Sequence, residues 1–311
     1  MNGTQLFGVL LMTYGSPSSL DDVERYMTSV RGGRVPEPEL VTEFRRRYDV
    51  IGGSPLIPIT QAQATALEER LDGRAVVRAG MRFSAPTISE ALRDVIDTGA
   101  GRVVAIVMSP QYSELLMSGY RRAVNAAGSE LGPEAPEVVV AGAWHLEAEF
   151  TAAVAGRIRE GLGRLSAAGK KQVPVLLTAH SLPRRVADQE PGYIAQLQDT
   201  ATAIASAAGL SDKQWRFCWQ SAGHEPGEWM KPDFADLMPE LAAEGHRAVL
   251  VAPVQFLADH LEILYDVDVG AREQAEAAGL EFARIDSLNV TPRFIDALAN
   301  VAERELGLTL T

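Results

Sequence analysis

Short, almost wholly apolar runs alternate along the chain with longer segments in which apolar residues recur every three or four positions. The short runs are typical of strands buried on both faces of a sheet, and the longer segments are typical of amphipathic helices. Their alternation predicts βαβ units around parallel sheets, hence an α/β fold. The predicted strands are residues 5–13, 74–79, 102–109, 137–141, 173–179, 214–219, 247–255 and 280–285.

The helical period predicts helices between these strands and indicates a chain with two similar halves. Four strands fall before residue 145 and four after it, which predicts two doubly wound domains, residues 1–144 and 145–311. We expect the C-terminal helix to pack back on the first domain. The predicted helices are residues 20–30, 38–50, 60–71, 87–97, 113–131, 147–165, 192–208, 234–243, 258–278 and 292–306.

The first strand of each half ends in a similar sequence, LLMTYGSP at residues 10–17 and LLTAHSLP at residues 176–183. In this alignment Tyr14 matches His180. Open α/β sheets bind ligands at the carboxyl edge of their strands, so both side chains are predicted at a ligand-binding edge. A histidine that ends a buried strand either bonds to the backbone or faces a cleft, and this residue alone leaves both interpretations open.

A line of acidic residues follows the strand that ends in APVQF. Asp259, Glu262 and Asp266 have the spacing i, i+3 and i+7, which predicts one face of a helix. A solvated acidic stripe is the ordinary explanation of such spacing. Because these carboxylates start at the same sheet edge as His180, they also form a candidate set for handling a metal ion or protons. The set is too sparse for a structural zinc site and suits a transient metal site. His260, on the other side of this helix, is expected to orient its neighbours.

Arginines are concentrated near the amino terminus, before the glycine turn IGGSP at residues 51–55. Guanidinium groups bind carboxylates through paired hydrogen bonds, so this patch suits a ligand with several carboxylates. The alternative is an exposed helix with ion pairs to Glu39 and Glu43. The arginines concerned are Arg31, Arg34, Arg45, Arg46 and Arg47.

Composition narrows the classes of function. The net charge of −12 excludes a broad nucleic-acid surface, although a local arginine cluster can still bind a small anion. Cys218 is the only cysteine, so the chain cannot form an internal disulfide or supply the ligands of an iron–sulfur cluster. No run of apolar residues is long enough for a transmembrane segment, and we expect a cytoplasmic protein. The motifs GxGxxG, GxxxxGK[ST] and GxSxG are absent, which removes the main support for a dinucleotide, P-loop or hydrolase site.

The motifs, taken in order, resemble those of the ferrochelatases over nearly the whole chain. Within that family the sequence is most similar to the bacterial type that acts on coproporphyrin. The matching segments are LLMTYGSP, VRGGRVPEPE, RRYDVIGGSPL, TAHSLP, WQSAG with EWMKPD, and APVQFLADHLEILYDVD.

The resemblance implies two Rossmann-like domains with a porphyrin-binding active-site cleft between them. His180 and Glu262 would be the catalytic and metal-binding pair on one side of the macrocycle. Tyr14 would approach from the other side as an axial contact to porphyrin-bound iron, and Asp266 would mark an entry route for the ion. The resemblance further implies that the substrate is bound by Tyr14 and that its propionates contact Arg31, Arg47, Ser54 and Tyr120.

The reaction that the resemblance implies is insertion of Fe²⁺ into coproporphyrin III to give coprohaem, with release of two protons. Iron is then a substrate, and we expect no permanent cofactor and no iron–sulfur cluster. Insertion into protoporphyrin IX, another tetrapyrrole chelatase reaction, and a non-catalytic porphyrin or haem carrier stay open as alternatives. We further expect no nucleic-acid partner, a monomer, and transient docking with another haem-pathway protein.

Overall fold

The computed structural model describes residues 6–132, 135–166, 172–223 and 226–307. Within these ranges the apolar runs form strands where the sequence predicts them, with ends displaced by one or two residues in most cases. Residue 5, at the start of the first predicted strand, lies outside the described ranges. The strands are β1 (Phe7–Thr13), β2 (Ala75–Met81), β3 (Arg102–Val107), β4 (Glu137–Val140), β5 (Val175–His180), β6 (Trp215–Gln220), β7 (Ala248–Pro253) and β8 (Glu281–Arg284).

The helices also follow the predicted pattern, with one addition and one change of type. Helix α7 was not predicted, and the segment after β7 is a π-helix (Glu262–Ala271) rather than a continuous α-helix. A short 3₁₀ turn (Leu20–Asp22) precedes α1. The α-helices are α1 (Val23–Val30), α2 (Pro38–Val50), α3 (Leu56–Arg70), α4 (Ile88–Asp97), α5 (Glu114–Leu131), α6 (Ala148–Ser166), α7 (Arg184–Gln189), α8 (Pro191–Ala208), α9 (Phe234–Ala243), α10 (Arg272–Ala277) and α11 (Pro292–Leu306).

The two sheets have the same topology. The first has the order β2-β1-β3-β4 and the second the order β6-β5-β7-β8, and the strands of both are parallel. In each sheet the second strand along the chain lies on one side of the first strand, and the third lies on the other side. The two connections therefore leave in opposite directions, which opens a crevice at the carboxyl ends of β1 and β5. Tyr14 directly follows β1, and His180 is the last residue of β5. The predicted α/β fold with two similar four-stranded parallel sheets is confirmed.

Side chains alternate between two apolar layers along each central strand. Val9 faces a core that also contains Leu177 of the second sheet, whereas the adjacent Leu10 and Leu176 face the outer layers of their own sheets. Phe294 of α11 lies in the same core as Val9 and Leu177. The inner faces of both sheets therefore share one hydrophobic core, which we call the shared core.

Helix α11 returns from the second half of the chain to pack on the first. It contacts α3 and β3 of the first half as well as α6. Two ion pairs fasten it there, from Arg70 to Asp296 and from Arg74 to Glu303, each at 2.5 Å. A domain division at residue 144 stays a prediction, because the shared core runs across it.

Removal of Arg74 tests how firmly α11 is held. The side chain of Glu303 is only 7% exposed, so Arg74→Ala would leave a buried carboxylate without its cation. We expect the free energy of unfolding in urea to fall by about 2 kcal/mol. The control is Arg304→Ala, since Arg304 is half-exposed on the same helix and its pair with Glu305 contributes little. Equal effects of the two substitutions on the free energy of unfolding would show that the Arg74–Glu303 ion pair does not hold α11.

Candidate active site

Tyr14 emerges from the first sheet, and its position is fixed by an extension of strand pairing. The Arg82 N–H donates to the carbonyl of Thr13 at 2.9 Å, and the Phe83 N–H donates to the carbonyl of Tyr14 at 3.1 Å. Gly15 then turns the chain with φ of +93°, a conformation that glycine adopts without strain. Tyr14 is 41% exposed, and the ring of Phe83 packs edge-on against it at 4.7 Å between centroids. The tyrosine is thus held by its backbone and presents its ring to the crevice.

His180 at the end of β5 is held in one orientation and one tautomer. Its backbone N–H donates to Oε1 of Gln255 at 2.8 Å. Its Nδ1 lies 2.5 Å from the carbonyl oxygen of Ser181, which can only accept, so Nδ1 carries the proton. In the neutral ring the lone pair is then on Nε2, which lies 3.6 Å from Oε1 of Glu262. Two groups that can each bind a proton or a cation therefore face each other.

Glu262 is flanked by two imidazoles. Its second oxygen lies 3.6 Å from Nε2 of His260, whose Nδ1 is bonded to the carbonyl of Ala258 at 2.9 Å. Burial favours the neutral acid, but the charges of His180 and His260 and the hydrogen bond to His260 lower the pKa of Glu262 to about 2. Conversely, burial disfavours the cationic form of His260, but Glu262 outweighs this and raises the pKa of that ring. Glu262 is consequently ionised at neutral pH.

The charge of Glu262 acts on residues of the first half, so the two halves meet at this site. Burial and the charge of Glu262 both raise the pKa of Tyr14, Tyr26 and Tyr48, while Arg82 opposes this effect at Tyr14. The hydroxyl of Tyr26 donates to the carbonyl of Gly15 at 3.0 Å, next to Tyr14 in the chain. The structure thus places Tyr14 within electrostatic reach of Glu262.

Asp266 lies one turn further along the π-helix and is mostly buried. Burial, reinforced by the charge of Glu262, raises the pKa of Asp266, although a hydrogen bond from Ser221 and the charge of Arg47 act in the other direction. Arg47 Nη1 is 3.5 Å from Asp266 Oδ1, and the two side chains are 22% and 21% exposed. The structure therefore brings Glu262, Asp266 and Arg47 together.

Asp259 does not belong to this acidic line, contrary to the predicted helical face. The π-helix starts at Glu262, with Leu261 as its N-cap, so Asp259 precedes it and has no helical relationship to Glu262. Its carboxylate accepts hydrogen bonds from Ser287 at 2.7 Å and from Asn289 at 2.9 Å. These bonds turn Asp259 toward the loop after β8 and leave Glu262 and Asp266 as the acidic pair.

The π-helix that carries this pair is fastened at both ends. Arg284, with its side chain 13% exposed, makes two hydrogen bonds of 2.8 Å to Asp268 and lies 3.5 Å from Asp259. The carbonyl of Asn289, which also bonds Asp259, accepts from Gln63 of α3 at 2.8 Å. π-Helices are rare and are frequent at functional sites, where the altered turn redirects side chains. The network thus fixes the position of Glu262 and Asp266 relative to the first half.

An arm formed by residues 20–50 crosses from the first half and packs on the π-helix. Arg46 donates to the hydroxyl of Tyr265, and the guanidinium groups of Arg46 and Arg47 lie 5.3 Å and 5.1 Å from the centre of its ring. Both arginines also pair with Glu43 at 2.9 Å, and these hydrogen bonds lower the pKa of Glu43 to about 2. Part of the arginine cluster is therefore neutralised within the arm.

Arg31 and Ser54 border open space. Arg31, just after α1, is exposed and makes no ion pair within the described ranges. Ser54 follows two glycines with φ of +70° and +91°, and it lines a cavity of about 490 Å³. The cavity is lined by Pro17, Ser18, Ser19, Leu20, Tyr48, Asp49, Gly52, Gly53, Ser54 and Pro55.

Tyr120 is buried in α5, with 7% of its surface exposed, and Arg82 lies between it and Tyr14. The Arg82 guanidinium carbon is 5.6 Å from the ring centre of Tyr120 and 5.8 Å from that of Tyr14. Sequence reasoning did not single out Arg82. The sequence feature that could have identified Arg82 is its position directly after a strand, at the same carboxyl edge as Tyr14.

Within the described ranges, no group of three or more His, Cys, Asp or Glu side chains is arranged to hold a metal ion. His180 and Glu262 offer an incomplete set of donors, and stable zinc sites in proteins normally have three or four. Such a pair suits brief contact with a metal.

Among the described helices, none is long and apolar enough to cross a membrane.

The fold has the architecture of the chelatases. SirB from Bacillus subtilis matches with a TM-score of 0.58 at 13% sequence identity, over 97% of this chain and 98% of that one. The sirohydrochlorin chelatase SirB from Bacillus subtilis subspecies spizizenii matches with a TM-score of 0.56 at 12% identity, over 97% of each chain. At this identity the similarity defines the fold alone.

The sequence comparisons define the family. The ferrochelatase family model matches residues 7–306. A ferrochelatase from Herpetosiphon aurantiacus is 38% identical over 298 residues, which cover 94% of this chain and 97% of that one. A coproporphyrin III ferrochelatase from Geobacillus thermodenitrificans is 37% identical over 307 residues, 96% of each chain. The chain belongs to the ferrochelatase family, whose members are metal-chelating enzymes that act on a porphyrin. The predicted resemblance is confirmed.

The Glu262–His260 contact can be tested by titration. Glu262→Gln removes the charge that raises the pKa of His260 and leaves burial, which lowers it. We expect the pKa of His260 to fall, measured by NMR of histidine ring protons. His145, whose pKa is lowered by burial in another part of the molecule, should be unaffected. A His260 titration that does not change would show that Glu262 is not its partner.

Proposed function

We propose that the chain is a coproporphyrin III ferrochelatase, which inserts Fe²⁺ into coproporphyrin III, releases two protons and forms coprohaem. The observation that carries the proposal is the 3.6 Å approach of His180 Nε2 to Glu262 Oε1, within electrostatic reach of Tyr14. Several relatives at 33–37% identity over nearly the full length are coproporphyrin III ferrochelatases, which supports the choice of substrate.

The metal–nitrogen bonds replace two pyrrole N–H bonds, so one Fe²⁺ enters as two protons leave. His180 is the proposed base, because its Nδ1 proton is held by Ser181 and its Nε2 lone pair is free. A carboxylate with a pKa of about 2 is a weak base at neutral pH, so Glu262 retains its charge. That charge attracts Fe²⁺ and stabilises the imidazolium that forms when His180 takes a proton.

Asp266 is the proposed next position on the route of the ion. Its raised pKa and its position four residues beyond Glu262 suit a carboxylate that exchanges a proton or an ion. Arg47 pairs with it and limits the negative charge there. Tyr14 is proposed to contact iron from the opposite face of the macrocycle, since its exposed ring comes from the other half.

The carboxylates of the porphyrin are proposed to bind Arg31, Arg47, Ser54 and Tyr120. The exposed guanidinium of Arg31 and the cavity at Ser54 support this assignment. Tyr120 is buried, with 7% of its surface exposed, so little of it is available for such a contact. Four propionates account for a cluster of several arginines better than two do.

Insertion into protoporphyrin IX is a second candidate, because the relatives from Herpetosiphon aurantiacus and Deinococcus radiodurans carry the name ferrochelatase without a stated porphyrin. A cytoplasmic location, a monomeric state and docking with another haem-pathway protein stay predictions.

The substrate is tested by anaerobic mixing of the protein with Fe²⁺ and either coproporphyrin III or protoporphyrin IX, while the porphyrin absorption bands are followed. We expect faster insertion into coproporphyrin III. Preference for protoporphyrin IX would retain the chemistry and change the substrate. Binding of both porphyrins without insertion would identify a carrier and refute the catalytic proposal.

The proposed base is tested with His180→Ala. Loss of a general base should slow insertion by about 10²-fold or more while porphyrin affinity changes little. His246→Ala is the matched control, because His246 pairs with Glu244 before β7, away from the crevice. Loss of porphyrin binding together with insertion would contradict the role of His180 as a base.

A further inference from the structure

The guanidinium group of Arg82 lies in a cage of three aromatic rings. Its central carbon is 4.6 Å from the ring centre of Phe83, 5.6 Å from that of Tyr120 and 5.8 Å from that of Tyr14. The side chain is half-buried, and Tyr14 is the exposed wall of the cage. Contact with aromatic faces stabilises the cation while it removes part of its hydration.

A glycine in α5 makes room for this group. A Cβ on Gly119 would lie 2.0 Å from the guanidinium carbon of Arg82 and 2.1 Å from one of its nitrogens. Glycine in a helix interior is destabilising relative to alanine, so its presence here has a cost. The clash with Arg82 explains why the helix has no side chain at this position.

Arg82 lacks a carboxylate partner in the parts of the chain that the structure describes, as Arg31 does and unlike Arg46 and Arg47. Arg47 is neutralised by Glu43 and Asp266, and Arg46 by Glu43. A guanidinium without an ion-pair partner can bind a carboxylate through paired hydrogen bonds. In a chain with a net charge of −12, such a group beside Tyr14 is an isolated anion-binding position.

We propose that Arg82 forms a carboxylate subsite that binds one propionate of the porphyrin, on the basis of the function proposed above. Arg82 follows β2 and Arg31 follows α1, so these two arginines, neither of which has an ion pair within the described ranges, come from different elements. Coproporphyrin III carries a propionate on each of its four pyrroles, whereas protoporphyrin IX carries propionates on only two, so a subsite at Arg82 adds to the positions that four propionates can occupy.

The test measures binding of metal-free coproporphyrin III by quenching of tryptophan fluorescence, so it needs no turnover. Arg82→Gln should weaken binding about tenfold, the lower end of the range for a hydrogen bond to a charged group, because the wall formed by Tyr14 is 41% exposed and leaves the site open to water. Arg82→Lys, which keeps the charge but not the fork of donors, should recover part of the affinity. Coproporphyrin III tetramethyl ester, compared in the same non-ionic detergent, should bind the unmodified and Arg82→Gln proteins equally.

Gly119→Ala provides a second variant that keeps the arginine. The added methyl group displaces the flexible end of Arg82, while alanine favours the helix. We expect weaker binding of coproporphyrin III without a lower melting temperature. Arg93→Gln is the matched control, because Arg93 is an exposed arginine of α4 that lies 3.7 Å from Glu130. It should bind coproporphyrin III like the unmodified protein.

Two results would overturn the subsite. Unchanged affinity in Arg82→Gln would show that no propionate binds there. Equal losses for the acid and the ester would show that Arg82 only holds the ring of Tyr14. Failure of the proposed function looks different, because the unmodified protein would then bind coproporphyrin III without inserting iron and the Arg82 effect on binding would persist. An unmodified protein that does not bind coproporphyrin III would refute both.

Discussion

The short hydrogen bond from Nδ1 of His180 to the carbonyl of Ser181 determines what the crevice can do. It fixes the ring and directs the free lone pair at Glu262, whose other oxygen faces His260. Without it the imidazole could rotate or change tautomer, and the carboxylate would face an N–H donor instead of a second acceptor. Two acceptors in contact are unfavourable unless a positive charge joins them. The bond to Ser181 thus makes the space between β5 and the π-helix attractive to protons and cations. Neither element has a lysine or an arginine there.

The opposing carboxylate depends on the unusual helix that carries it. The π-turn and the bonds of Arg284 to Asp268 and Asp259 hold this segment against the loop after β8. Gln63 extends the same network to the first half through Asn289. The position of Glu262 relative to Tyr14 is therefore a property of the assembled halves rather than of one helix.

Much of this architecture could be predicted from the sequence, for a physical reason. Parallel strands are buried on both faces, so they read as continuous apolar runs, and the chain position after such a run marks the ligand-binding edge. Tyr14 and His180 were located in this way. The i, i+3, i+7 spacing failed for Asp259, because it assumes that the helix already includes this residue, whereas the helix begins after it. Arg82 was missed since its role depends on Gly119, which is distant in sequence.

The shared core also limits how the molecule can move. Helix α11 buries apolar side chains from both halves, so a hinge that swung the halves apart would expose them to water at a large cost. The arm has its own small apolar cluster, which touches the second half mainly through Leu261 and Tyr265. The arm can separate from the π-helix without exposing the shared core, because it packs there through its own cluster. Access to the crevice on this side therefore depends on a contact made by Leu261 and Tyr265, neither of which is a proposed catalytic group.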